Sequence, residues 1–254
     1  MLYKRIIPLF LLKGDRLVKG TKFNHDFIDV GDPLSQAMIY DAQGAEEVMV
    51  VDIEATDEGR VIAPQIINWM INKCRLPIGA GGGIENLEDA RKCFHAGADK
   101  IVVNTAAVLN PHFIKELADE FGSQSVLVSI DLRKNKNGNY DVYVHSGKQR
   151  VNVNLEDFIK KVIDFGAGEL MLTSIDREGT LSGFECDLYK MARRLVSVPL
   201  IASGGAGCYD DIVELFVDTD CDACSLGKML FLRDYDIVRI KSYLKGKKIL
   251  VRDT

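Results

Sequence analysis

Leu76-Pro77-Ile78-Gly79-Ala80-Gly81-Gly82-Gly83 returns later in the chain as Val198-Pro199-Leu200-Ile201-Ala202-Ser203-Gly204-Gly205. In both copies a proline opens a short apolar run, and the run ends in adjacent glycines. The two prolines stand 122 positions apart. Glu47-Val48-Met49 and Glu169-Leu170-Met171 keep the same offset, and so do Ile53 and Ile175. Chance similarity between two glycine loops does not also align Glu47 with Glu169. The shared spacing implies duplicated halves.

Working outward, short β-branched apolar runs alternate with longer amphipathic segments. The strand candidates are Arg5–Leu11, Glu47–Asp52, Leu76–Gly81, Lys100–Asn104, Leu127–Asp131, Glu169–Ser174, Val198–Ser203 and Asp222–Leu226. Continuous buried runs, each followed by a helical pattern, indicate a parallel sheet covered by helices. Four strands per half predict an α/β fold, a (βα)8 TIM barrel built from two duplicated half-barrels, with 1–254 as a single domain. The chain's 254 residues and 47% hydrophobic content suit that fold, which typically runs to about 250 residues. Asp32-Pro33 and Asn110-Pro111 each place a capping side chain before a proline at the first helical position, and Asn154 is the expected cap of another helix. Two segments are long, 12–31 and 132–153. In the second, Asn137-Gly138 marks a hairpin. Both follow the first strand of a half, so both belong on the C-terminal face, where barrel active sites lie.

The net charge is -5, which gives no global field for nucleic acid or an anionic membrane. Any phosphate site must be local. The apolar run after the basic N-terminus is cut at Lys13-Gly14-Asp15, so it reads as a strand rather than a signal peptide or a membrane span. The six cysteines are scattered, which fits reduced thiols and a cytoplasmic chain. Cys221 and Cys224 form a C-x-x-C, but neither a thioredoxin-like context nor a second pair for zinc accompanies it. No metal and no cofactor is expected.

Two groups of residues carry chemistry. Gly82 and Gly83 end one strand and Asn104-Thr105 end the next. Together they can present backbone N–H groups and a hydroxyl to a phosphate. Gly204, Gly205, Gly227 and Lys228 take the matching places in the second half. One glycine loop is weak evidence, but two in register with a duplication predict two anion sites, suited to an elongated bisphosphate laid across the mouth. At the opposite rim Arg5, Glu47, Lys100 and Glu169 each begin a strand. Two cations and two anions there form either a stabilising cluster or something with a function.

From Lys4-Arg5-Ile6-Ile7-Pro8 through Gly97-Ala98-Asp99-Lys100, Asn104-Thr105-Ala106-Ala107, Leu172-Thr173-Ser174-Ile175-Asp176-Arg177 and Ile201 to Gly207, the chain resembles the cyclase subunit of imidazole glycerol phosphate synthase along its whole length. The resemblance implies an ammonia-using barrel docked on a class I glutaminase, with Arg5, Glu47, Lys100 and Glu169 as the gate that ammonia passes. It also implies Asp99 as a glutaminase contact, Lys19 and Asp176 as residues of the mouth, and a bisphosphorylated substrate. The family's acid/base pair is two aspartates, one ending strand one and one ending strand five. Asp131 matches the second. At the first, Pro8-Leu9-Phe10-Leu11-Leu12 puts Leu11. Leucine transfers no proton, and losing one acid/base partner typically costs about 10²–10⁴ in rate. Asp15, in a loop, is a poor substitute. Lys22 and Lys228 also depart from the family's usual asparagine and serine.

The expectation is therefore a paralogue that receives ammonia and conducts it, with weak or no cyclase activity, supporting a sugar amidotransferase in surface-polysaccharide synthesis. The alternatives are an authentic histidine-pathway cyclase and a bisphosphate isomerase, the latter disfavoured by the gate residues.

Overall fold

The computed structural model describes residues 3–24, 26–233 and 235–253. The first half contains β1 (Arg5–Lys13), β2 (Arg16–Lys19), β3 (Ile28–Gly31), α1 (Pro33–Ala42), β4 (Val48–Asp52), α2 (Pro64–Ile71), β5 (Ile78–Gly81), α3 (Leu87–His95), β6 (Lys100–Val103), α4 (Thr105–Leu109) and α5 (His112–Phe121). The second repeats that order. It contains β7 (Val126–Lys134), β8 (Tyr140–Val144), β9 (Gln149–Val151), α6 (Leu155–Asp164), β10 (Glu169–Ser174), α7 (Cys186–Arg193), β11 (Leu200–Ser203), α8 (Tyr209–Thr219), β12 (Ala223–Leu226), α9 (Lys228–Leu232) and α10 (Ile237–Gly246).

Hydrogen bonding runs β10-β11-β12-β1-β4-β5-β6-β7, and β7 pairs back to β10. All eight of these pairings are parallel. The expected barrel of two half-barrels is therefore closed. Alternating side chains split the interior into two layers. The larger core lies between strands and helices and includes Phe10, Val50, Ile101, Ile130 and Leu172. A smaller one fills the lumen with Ile7, Leu9, Met49, Val102, Leu127, Met171, Ile201 and Ala223. Burying branched apolar chains on both strand faces is the main stabilising term of such a barrel.

Two of the expected caps form. Asp32 accepts the Ser35 N–H at 2.7 Å, and Asn154 accepts that of Asp157 at 3.0 Å. Asn110 is a correction. Its side chain makes no capping bond, because it terminates α4, and α5 starts two residues later behind Pro111. The long segments are more ordered than their composition suggested. β1 runs on to Lys13 and pairs antiparallel with β2, which pairs with β3. β7 likewise runs to Lys134 and pairs with β8 through the turn holding Gly138, and β8 pairs with β9. Both additions sit above the C-terminal ends of the barrel strands. No helix of the described residues is long and apolar enough to cross a membrane. All six cysteines are free, and burial pushes the Cys221 thiol up to about 12.

Candidate active site and charged ring

A cavity of about 350 Å³ opens at the C-terminal mouth. Gly82, Gly83, Asn104 and Thr105, the expected first anion set, all line it, as do Asp131 and Leu11. Gly82 adopts φ +112, and a Cβ there would lie 2.5 Å from the Asp52 carbonyl oxygen, so only glycine lets the β5 loop pass so close. Asn104 donates to Asp131 Oδ2 at 2.9 Å, while its own Oδ1 is buried without a partner. The Thr105 hydroxyl accepts from the His145 N–H at 3.1 Å, tying the turn after β8 over this end of the cavity. Lys148 of that turn pairs with Asp57 across the opening.

The second set lies at the equivalent strand ends but is covered. Gly204, Gly205, Gly227 and Lys228 do not line the open cavity. Lys228 Nζ donates to Thr21 Oγ1 at 2.8 Å, and the Lys22 N–H donates to the Glu178 carbonyl at 2.8 Å. These contacts hold the loop after β2 down over the second half. Lys19 is fully buried beneath it. Its ammonium donates to the Leu9 carbonyl at 2.5 Å and stands 4.8 Å from the Phe231 ring centre. Burial brings Lys19 down to about 8, against the opposing pull of Glu178.

Asp131, on the inward face of β7, is pushed up to about 7. Burial is the main cause, the negative charge of Glu178 adds to it, and hydrogen bonds from Asn104 and Thr173 oppose it. A carboxyl poised there can give or take a proton near neutral pH. β1 is four strands from β7 in either direction round the barrel, so Leu11 faces Asp131 across the mouth. It packs with Val51 on the lumen cluster and offers no carboxylate.

Neither remaining expected carboxylate takes its place. Asp15 is exposed and lines a separate small hollow beside Trp69. Asp176 does not line the cavity, and its Oδ2 accepts the Lys134 N–H at 2.9 Å. Glu178 does line it, and the sequence reading passed it over. The Glu178 N–H reaches back to the Ser174 carbonyl at 2.9 Å, closing a helical turn. Residues two apart on such a turn point to opposite sides. The signal was Asp176-Arg177-Glu178-Gly179, and the strand pattern alone does not say which carboxylate turns inward. Burial raises Glu178 above the usual carboxylate range, opposed by Lys19 and Lys228. Asp52, also missed, is buried and held by Arg60 at 2.5 Å and by the Glu54 and Ala55 amides.

The opposite end carries the four strand-start charges. Arg5 Nη1 meets Glu47 at 2.5 Å and Glu169 at 2.9 Å, and Lys100 Nζ meets the same pair at 2.8 and 3.0 Å. They form a closed, alternating ring across the lumen floor. Asp99 stands exposed on this rim, with Oδ2 accepting the Ile78 N–H at 2.8 Å.

Residues 5–236 match the family described as "Histidine biosynthesis protein". The "Imidazole glycerol phosphate synthase subunit HisF" of Dictyoglomus thermophilum is 42% identical over 252 residues, covering 99% of each chain. The proteins of the same name from Bacillus licheniformis and Methanocaldococcus jannaschii are each 40% identical, with 99% of this chain covered and 100% and 99% of theirs. A closed barrel of two matching halves, with Asp131 at its mouth and full-length similarity of this degree, has one reading: the chain belongs to the HisF family of histidine-biosynthesis barrels.

Proposed function

We propose that residues 1–254 act as one barrel domain that accepts ammonia from a class I glutaminase docked at the charged ring and delivers it to a phosphorylated ligand at the mouth. Ammonia crosses an apolar lumen only as the neutral molecule, because a bare ammonium there loses its hydration. The ring of Arg5, Glu47, Lys100 and Glu169 balances two positive and two negative charges, so a neutral molecule meets no net field. Passage requires one ion pair to part. The glycines and Asn104-Thr105 of the first half receive one phosphate, and Gly204, Gly205, Gly227 and Lys228 receive the other once the loop holding Lys22 lifts.

Leu11 is the observation that carries the finer reading. Ring closure needs proton transfer at two places, and Asp131 faces an apolar wall where its partner is due. Cyclase turnover is therefore slow, and the barrel serves as a conduit whose ammonia reaches a separate amidotransferase acting on an acetamido sugar. The names of the relatives speak of imidazole glycerol phosphate synthase and not of polysaccharides; Leu11 supports the slow cyclase step, and the sugar acceptor rests on the resemblance to paralogues of that kind. A second reading, a working cyclase, is favoured by Glu178. This carboxylate lines the same cavity, and its charge is felt by Asp131.

The test of delivery is glutamine hydrolysis by a class I glutaminase with and without the barrel. Hydrolysis should rise when the barrel is added and the two should co-purify. Asp99→Asn, which keeps an acceptor for the Ile78 amide, should weaken both. A glutaminase indifferent to the barrel would overturn the proposal.

A further inference from the structure

Helix α1 is apolar on two faces. Pro33, Ala37 and Tyr40 are buried against the barrel. Ser35, Met38, Ile39 and Ala42, at the spacing i, i+3, i+4, i+7, are all exposed on the other side. That spacing is the stripe a helix buries against a neighbour, and here it carries no charge. Met38 and Ile39 are 49% and 45% exposed. Helix α2 continues the patch with Trp69, the chain's single tryptophan, at 57%. Leu34 of α1 and Trp69 line one hollow, so the indole stands in the groove between the two helices. A contiguous exposed patch of this kind marks an interaction surface, and tryptophan, methionine and arginine are residues that interfaces favour.

The charges around the patch divide between its ends. At the mouth end, Asp15 and Asp32 are exposed and line the hollow with Trp69, over a floor of Ile66 and Met70. Arg16 is felt by both carboxylates but pairs with Asp29. Carboxylates beside an aromatic ring make a receptor for a cation. At the floor end, Lys73 and Arg75 are exposed and make no ion pair among the described residues. Asp41, at that end of α1, accepts the Arg75 backbone N–H at 3.1 Å. The two ends are separated by the length of α1, about 15 Å.

A surface with a receptor at one end and a cation at the other is complementary to itself turned end for end. Two-fold pairing makes that turn, because it sets one patch against an identical one. We propose that α1 and α2 dock on the same face of a second copy of this chain, with the two α1 helices antiparallel. Met38 and Ile39 of both copies pack at the axis. Each hollow takes the other copy's Arg75, whose planar guanidinium stacks on Trp69 and meets Asp15 and Asp32. The face lies on the flank of the barrel, so the pair leaves the mouth and the charged ring open. The proposal is therefore independent of the ammonia-delivery reading.

Trp69 reports on the contact directly. Its emission should shift to the blue, and the sedimenting mass should double, as the chain is concentrated from about 1 to about 500 μM, the range suited to a small interface. Met38→Glu sets two carboxylates against each other at the axis and should stay monomeric with unshifted emission. Asp15→Arg and Arg75→Asp test the pairing of the ends. Each alone puts like charges together at both ends of a dimer and should stay monomeric. Mixed, the two variants restore opposite charges at both ends, and the dimer should return. All three positions are exposed, so each variant should unfold at the parent's urea midpoint. A parent that is monomeric throughout, single variants that associate as the parent does, or a mixture that stays monomeric overturns the proposal. So does an emission shift that appears only when a glutaminase is added, which gives the face to that partner.

Discussion

Replacing Asp131 with asparagine should stabilise the barrel above neutral pH and leave it unchanged in acid. The Asp131 carboxyl is raised to about 7 in the folded barrel, against its ordinary value of 3.8. A raised carboxyl makes the folded state bind a proton more tightly, so its contribution is fully present below the unfolded pKa and is lost as pH rises through the folded one. The window is therefore about pH 4 to 7. Roughly three pK units at 1.36 kcal/mol each set a ceiling on the order of 4 kcal/mol. Asparagine keeps an acceptor for Asn104 and carries no charge at any pH. Urea unfolding of both proteins at pH 3.5 and 8.5 reads the effect directly. The two should coincide in acid, and the variant should be more stable by about 2 kcal/mol or more in base. A variant equally or less stable than the parent at both pH values would refute the claim that burial, rather than bonding to Asn104 and Thr173, dominates at Asp131. It would also remove the basis for calling this carboxyl a neutral-pH acid/base.

Lys100→Met leaves Glu47 and Glu169 sharing Arg5 alone. Because all four side chains of the ring are largely buried, equilibrium unfolding should show a loss of about 3–5 kcal/mol. A loss below 1 kcal/mol would mean that the ring is open and hydrated. Gly82→Ala forces a Cβ against the Asp52 carbonyl at φ +112, so it should cost on the order of 1–3 kcal/mol and abolish inorganic phosphate binding in the first half, measured by calorimetry. Lys228→Ala removes the tie to Thr21, and limited trypsin digestion should then cut faster after Lys22. An unchanged rate would show that the loop is held elsewhere.

The fold was legible because the duplication and the apolar runs are local, repeated signals. Each expected strand overlaps an observed one, and Glu169–Ser174 coincides with β10. What stayed hidden depends on contacts distant in sequence. β1 extends beyond Leu11 only because β2 folds back to pair with Leu11, Leu12 and Lys13. Asn110 looked like a cap before proline, yet α4 claims it first. Asp176 and Glu178 carry the same charge two residues apart, and only the turn from Ser174 turns one inward. The proposed anion sites were legible as glycine pairs, but that the second set is roofed by Thr21 and Lys22 depends on a lysine at position 228 reaching across the barrel. The charged ring could be read as a set of strand starts, whereas its closure into alternating ion pairs is a property of the closed barrel.

The proposed loss of most cyclase chemistry, with the means to receive ammonia kept, follows from Leu11 facing Asp131 in a HisF-family barrel. Its most direct test is turnover of the aminoimidazole carboxamide ribonucleotide by the purified wild-type barrel in excess ammonium, which bypasses any glutaminase. Losing one acid/base partner predicts a rate about 10²–10⁴ below that of a two-aspartate enzyme assayed alongside. Brisk formation of imidazole product, abolished by Asp131→Asn, would contradict the account and assign the second proton transfer to Glu178.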